Sequence, residues 1–269
     1  MTDPGSAVRD APRHRILGVS LKLYLDVERT RVWAEAVADI ARHSIAIRSG
    51  AVRLFVLPSL PSLATVQQAL IGTPVDVGAQ DLHGDDRGAF TGAVSGADLK
   101  AIGCRYVEVG HAERKNLFGE TTPVVHAKLR AALRNDLIPV FCVGERVEVG
   151  PDAAAASCVR QLEDALAAVA EELPGRELVV AYEPEWAIGA RRPAPSEHVR
   201  VVTASLRARL GAERSLRASS VIYGGSAGHG TLTALGDGVD GLFLGRFAHD
   251  PRALSRIIEE TAAASRSRV

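Results

Sequence analysis

A lysine, a histidine and a glutamate each stand just past a short apolar run, and glycine turns follow two further runs near the C-terminus. In Gly18-Val19-Ser20-Leu21-Lys22 the ammonium could hold a phosphate or the charge of a developing enediolate. In Val109-Gly110-His111-Ala112-Glu113-Arg114 the histidine precedes a helix-like stretch. A ring near a helix N-terminus is disfavoured as imidazolium and remains a neutral N–H electrophile. In Ala181-Tyr182-Glu183-Pro184 a carboxylate closes a buried run, which is costly unless it is hydrogen-bonded or has a task. The next stretch, Glu185-Trp186-Ala187-Ile188-Gly189, is mostly apolar, anchored by proline and ended by glycine, which suits a water-excluding lid that raises the basicity of Glu183. Tyr223-Gly224-Gly225-Ser226 and Gly245-Arg246 let backbone N–H groups approach an anion closely. Each segment alone has a plainer reading: a solvated lysine, a structural histidine, a loop whose tryptophan packs on helices, a simple turn. Together they supply a buried carboxylate, a neutral N–H donor, a cation and an anion cradle, groups that could hold a phosphate and a developing negative charge.

The elements that must position these residues repeat along the chain. Candidate strands are Ile16–Leu21, Val52–Leu57, Val75–Ala79, Arg105–Val109, Ile138–Cys142, Leu178–Ala181, Ser219–Tyr223 and Asp240–Leu244. They are short and uniformly apolar, unlike half-exposed antiparallel strands. Most gaps hold an amphipathic Ala/Leu/Arg-rich stretch, such as Asp152–Glu172, Ser196–Leu210 or Pro251–Ala264. After Ala79 a polar loop comes first, and a helix starts only near Ser95. Eight such units predict one closed (β/α)₈ barrel over residues 16–269, with an open doubly wound sheet as the alternative. The length of 269 residues is close to the roughly 250 typical of a barrel, whose site lies at the C-terminal strand ends, with phosphate commonly held after strands seven and eight. The nominated residues fall at those ends.

Composition narrows the partners. Hydrophobic residues are 46% and aromatics 4%, so the core is aliphatic. Lys+Arg and Asp+Glu balance at 32 each, which gives no global attraction to nucleic acid or an anionic membrane. No apolar run reaches the roughly 18 residues of a membrane span. The polar stretch Met1–Arg15 has no signal-like apolar core and reads as a disordered tail. Cys104, Cys142 and Cys158 form no C-x-x-C pair and read as buried reduced thiols in a cytoplasmic protein.

In order, spacing and identity these segments resemble triosephosphate isomerase, from about Leu17 to the C-terminal helix. The most specific matches are Gly110-His111-Ala112-Glu113-Arg114 with Phe118-Gly119-Glu120, Ala181-Tyr182-Glu183-Pro184 with Trp186-Ala187-Ile188-Gly189, and Tyr223-Gly224-Gly225-Ser226. That family is itself the standard illustration of a glutamate base working with a neutral histidine. The resemblance implies Glu183 as base, His111 as electrophile and Lys22 as stabiliser of the anionic intermediate, with Glu113 beside it. It implies Gly189, Ser226 and Gly245 as phosphate-binding N–H donors, and it puts Ser20 and Arg246, neither of them the family's usual residue, at substrate-contacting positions. It implies no cofactor and no metal. Gly78-Ala79-Gln80 and Gly88-Ala89-Phe90-Thr91-Gly92 match the family's interdigitating loop, implying a homodimer through Gln80 to Gly92 with Thr91 reaching the partner's site.

Departures cluster around the catalytic residues. Ser20 stands where the family commonly has Asn, Ala112 where it has Ser, and Glu185 where it has Val. Ala190-Arg191-Arg192-Pro193 follows Gly189 in place of a Gly-Thr-Gly-Lys lid end, and Arg246 replaces a phosphate-loop glycine. The first reading is interconversion of dihydroxyacetone phosphate and glyceraldehyde 3-phosphate through an enediol. The alternative, favoured by Ser20, Ala112 and Arg246, is isomerisation of a four-carbon ketose phosphate, L-erythrulose 1-phosphate to D-erythrulose 4-phosphate, in polyol catabolism. A silent phosphate-binding barrel predicts loss of Glu183, His111 or Lys22, and all are retained.

Overall fold

Short Val/Leu/Ile/Phe runs without polar alternation suit parallel strands covered on both faces. The computed structural model, which describes residues 14–190, 192–216 and 218–266, places such a strand at every expected position. These are β1 Arg15–Ser20, β2 Val52–Leu57, β3 Val75–Ala79, β4 Tyr106–Val109, β5 Ile138–Val143, β6 Glu177–Tyr182, β7 Ala218–Tyr223 and β8 Gly241–Leu244. Neighbours pair in sequence order and β8 pairs with β1, closing the barrel and removing the open-sheet alternative.

Between them lie α1 Val27–His43, α2 Ile45–Arg48, α3 Leu63–Leu70, α4 Gly96–Ala101, α5 Ala112–Phe118, α6 Thr122–Arg134, α7 Pro151–Ala168, α8 Ser196–Gly211 and α9 Thr231–Leu235, with α10 Pro251–Arg266 after β8. Helix starts follow local chemistry. Asp26 caps α1 by accepting from the Arg29 N–H, and Ser95 caps α4 from the Ala97 and Asp98 N–H groups. Pro151 opens α7 in the first turn, where its missing N–H costs nothing.

Alternation along each strand decides which residues enter the barrel. Ile16, Phe55, Tyr106, Val140, Val179 and Phe243 belong to the interior cluster, while the opposite faces pack under the helices in a separate cluster. Continuing the interior series toward the C-terminal strand ends gives Ser20 on β1, Glu108 on β4, Glu183 after β6, Gly224 after β7 and Gly245 after β8. The pleat itself delivers these residues to the mouth.

Strand ends fall within one residue of the sequence reading, and two differences have a clear physical reason. Arg15 belongs to β1 and not to the tail; its buried guanidinium lies 3.0 Å from Asp237 Oδ1, so an ion pair holds the strand's start. The rest of the expected tail, apart from His14, lies outside the described residues. Helix α7 stops at Ala168, short of Glu172, because Val169 leaves helical backbone with φ −119°.

Candidate active site

The site starts from a strained lysine. Lys22, two residues beyond β1, holds left-handed backbone with φ +50°. For a non-glycine residue this costs on the order of 1–3 kcal/mol and persists only where neighbours enforce it. Gln80 does so from the end of β3: its Nε2 donates to the carbonyls of Lys22 (3.2 Å) and Leu57 (2.9 Å). The ammonium is thereby turned toward the barrel axis, where Nζ donates to Glu113 Oε1 at 2.8 Å and lies 3.2 Å from His111 Nε2.

His111 is the N-cap of α5, and its Nδ1 accepts from the Glu113 backbone N–H at 3.0 Å. With Nδ1 accepting, the neutral ring carries its proton on Nε2. Burial first, then the charges of Lys22 and Lys115, push the imidazole pKa down to about 3. The ring is therefore neutral at any working pH, and Nε2–H and the Lys22 ammonium are two donors aimed at one point.

Glu183 ends β6. Its Oε2 lies 3.5 Å from His111 Nε2 and is buried with no hydrogen-bond partner among the described residues. Burial pushes its pKa up to about 7, against the pull of Lys22 and of the Cys142 thiol. The lysine responds in the other sense: burial alone would lower its pKa, but the hydrogen bond to Glu113 and the nearby carboxylates leave it raised. Gly224 leaves room for this carboxylate, because a Cβ there would come within 2.5 Å of Glu183 Oε1.

The segment after Glu183 folds over the carboxylate. Glu185–Ala187 forms a 3₁₀ turn, and Trp186 Nε1 donates to buried Glu145 at 2.8 Å. From the other side, Ser226 Oγ donates to the Ala187 carbonyl at 2.8 Å, and the Ala194 N–H donates to Tyr223 OH at 3.3 Å. Ser226 of the glycine turn and Tyr223 at the end of β7 thus hold the segment from Ala187 to Ala194 at two points. Arg191, one of the departures in the lid, lies outside the described residues.

Every residue nominated from sequence lines one cavity of about 220 Å³: Ser20, Lys22, His111, Glu113 and Glu183 at one end, Gly189, Ser226, Gly245 and Arg246 at the other. Arg246 is exposed and reaches under the lid, with Nη2 3.5 Å from where a Cβ on Gly189 would stand and its guanidinium 5.8 Å from the Tyr24 ring. Sequence reading missed Glu108, whose Oε2 accepts from Ser20 Oγ at 3.0 Å. The available signal was a carboxylate in an otherwise apolar strand, on the same face as Tyr106. Tyr24 carried no comparable signal.

A buried carboxylate, a neutral N–H donor and an ammonium converge on one end of a cavity whose other end is lined by glycine turns. On this fold, that arrangement can move a proton between adjacent carbons, which is the chemistry of an isomerase. The triosephosphate isomerase family model matches residues 15–261, and the chain belongs to that family. It is 49% identical to an L-erythrulose-1-phosphate isomerase of Pectobacterium atrosepticum, over 92% of this chain and 96% of that relative. It is 38% identical to a triosephosphate isomerase of Moorella thermoacetica, over 76% and 83% of the two chains. It is 36% identical to an L-erythrulose-1-phosphate isomerase of Brucella abortus, over 86% and 90%. Among the described residues, no helix is long and apolar enough to cross a membrane.

Proposed function

We propose that the chain converts L-erythrulose 1-phosphate to D-erythrulose 4-phosphate, in preference to the triose interconversion that its motifs first suggest. The two substrates differ by one hydroxymethyl group, attached to the carbon that gives up its proton. The observation that carries the reading is Ser20: a shorter side chain than the family's usual Asn, it lies beside the reacting centre and turns its hydroxyl to Glu108 at 3.0 Å. Room at that point accommodates a fourth carbon. The 49% identity with an isomerase of this tetrulose phosphate, along nearly the full length of both chains, supports the same choice.

The reaction follows from the geometry. Glu183 Oε2 takes the proton from C3, and the C–H electrons form the C2–C3 double bond as the C2 carbonyl becomes an enediolate oxygen. His111 Nε2–H and the Lys22 ammonium, 3.2 Å apart, share that oxygen and stabilise its charge. His111 exchanges the proton between the two enediol oxygens, and Glu183 returns its own proton to C2, leaving the carbonyl at C3. Gly189, Ser226 and Gly245 offer backbone N–H groups to the phosphate, and Arg246 adds charge at that end. A homodimer through the loop from Gln80 to Gly92 completes the proposal.

The test is kcat/KM of the purified protein for L-erythrulose 1-phosphate and for glyceraldehyde 3-phosphate. The tetrulose phosphate should win by more than about tenfold, ~1.4 kcal/mol in transition-state binding. A triose preference of that size would return the enzyme to the three-carbon reaction.

A further inference from the structure

We propose that Ser20 and Glu108 together form the subsite for the substrate's terminal hydroxymethyl group, and that Glu108 selects a four-carbon over a three-carbon chain. The assignment rests on the proposed function, and its starting point is a carboxyl group with nothing structural to do.

Four glutamates are buried among the described residues: Glu108, Glu145, Glu177 and Glu183. Burying a carboxyl group is costly unless its oxygens are satisfied. Glu145 meets this with Trp186 Nε1, Tyr182 OH and His198 Nε2, all within 3.1 Å of Oε1. Glu177 pairs with Arg53 at 2.7 Å. The other two are under-partnered. Glu183 is the proposed base, its Oε2 left free. Glu108 has a single hydrogen bond among the described residues, from the Ser20 hydroxyl to Oε2, while Oε1 lies 3.9 Å from His111 Nε2. Its cross-strand neighbour on β5 is Val140, so the sheet gives it no charge to balance. Lys22 acts on Glu108 only through space, since its ammonium is hydrogen-bonded to Glu113 at 2.8 Å.

Position points the same way. A second cavity of about 890 Å³ shares Ser20, Lys22, His111 and Glu113 with the first, and is also lined by Glu108 and Gln80 but not by Gly189, Ser226 or Gly245. A substrate anchored by phosphate at the glycine turns, with its reacting carbons between Glu183 and His111, therefore extends its far end toward Ser20 and Glu108. The chemistry fits that end. Burial, reinforced by the nearby Glu183 charge, lifts the Glu108 pKa to about 8, so at neutral pH the group is a carboxylic acid. It then offers one O–H donor and a carbonyl acceptor, matched to a hydroxyl, which both accepts and donates. A neutral acid also leaves the enediolate unopposed by a second negative charge.

The experiment measures kcat/KM for L-erythrulose 1-phosphate and for glyceraldehyde 3-phosphate with wild type, Glu108→Leu, Glu108→Gln and Ser20→Ala, with Tm as a check on folding. Glu108→Leu should lower the tetrulose/triose ratio about 100-fold, as expected where a site built to bind a hydroxyl loses its partner. Glu108→Gln keeps a donor and an acceptor and should hold the ratio within about threefold of wild type. If Glu108→Leu does not fold, Ser20→Ala carries the test, with an expected drop in the ratio of about tenfold from one lost hydrogen bond. A ratio unchanged in the folded variants, whether both activities fall together or neither does, overturns the subsite. The preference of the wild type tests the proposed function separately: a triose-preferring wild type whose ratio still drops in Glu108→Leu would keep the subsite and lose that reading.

Discussion

At Glu183 the barrel interior, the lid and the pKa of one carboxyl group meet. Replacing it with Gln removes the proposed base and little else, since the amide has nearly the same shape and Oε2 has no hydrogen bond to lose among the described residues. Glu183→Gln should therefore cut kcat by several orders of magnitude with the fold intact. Turnover within about tenfold of wild type, ~1.4 kcal/mol in the barrier, would refute the assignment. Burial has raised this pKa from an ordinary 4.5 to about 7, and the reaction needs the ionised form. The acid limb of kcat/KM should lie well above the ordinary carboxylate range, activity falling about tenfold per pH unit below it. The sign for stability is opposite. The folded state binds this proton more tightly than the unfolded state, so stability present below pH 4.5 is lost as pH rises through about 7. Glu183→Gln cannot show that loss, so thermal melts of the two proteins should converge toward low pH and separate toward pH 8 in favour of the variant. Lys22, His111 and Glu183 were legible in the sequence because each interrupts apolar residues at a strand end, where a charge needs a reason. Glu108 escaped because its strand was read as uniformly apolar. Only counting in twos from Tyr106 places its side chain inside the barrel.

At the scale of elements, strands were the most readable feature. Their apolar runs are bounded by Gly, Pro or charge, and the closed barrel moved their ends by at most one residue. Contacts between loops left no local pattern, and one of them bears on the lid. Glu185 begins the 3₁₀ turn of the lid, and its Oε2 accepts from Asn116 Nδ2 at 3.0 Å, with Lys115 Nζ 3.6 Å from Oε1. Both partners belong to α5, the helix capped by His111, so the lid hinge is tied to the element that carries the proposed electrophile. A partly exposed pair of this kind is worth roughly 1 kcal/mol, about a fivefold change in the closed population. Glu185→Val should shift the lid toward open, with kcat/KM a few-fold lower. More turnovers should also end in release of inorganic phosphate, because an open lid no longer shields the enediolate from elimination. An unchanged share of phosphate release would mean that the tether does not govern the lid.

The whole molecule presents a face that one chain leaves uncovered. Leu23, Leu60, Leu117 and Phe118 are all more than half exposed, and all line the 890 Å³ cavity that also reaches Lys22, His111 and Glu113. Apolar side chains scattered singly on a surface need no explanation, but a cluster around a cavity marks an interaction site. The loop from Gln80 to Gly92 is held in a fixed shape: its root is fixed by Gln80, and its body is braced by His83 against Phe90 (4.1 Å between rings) and by Arg87 to Asp98 (2.9 Å). Thr91, exposed near the end of the loop, is the residue expected to enter the partner's cavity. A second copy of the chain would cover the apolar rim and press on the segment that holds Lys22 in its left-handed backbone. Association and activity should then be linked. Light scattering should give twice the 28.5 kDa chain mass under assay conditions, and dilution below the dimer's dissociation constant should lower specific activity as the mass falls. A 28.5 kDa species with full activity would show that each barrel completes its own site and would overturn the dimer.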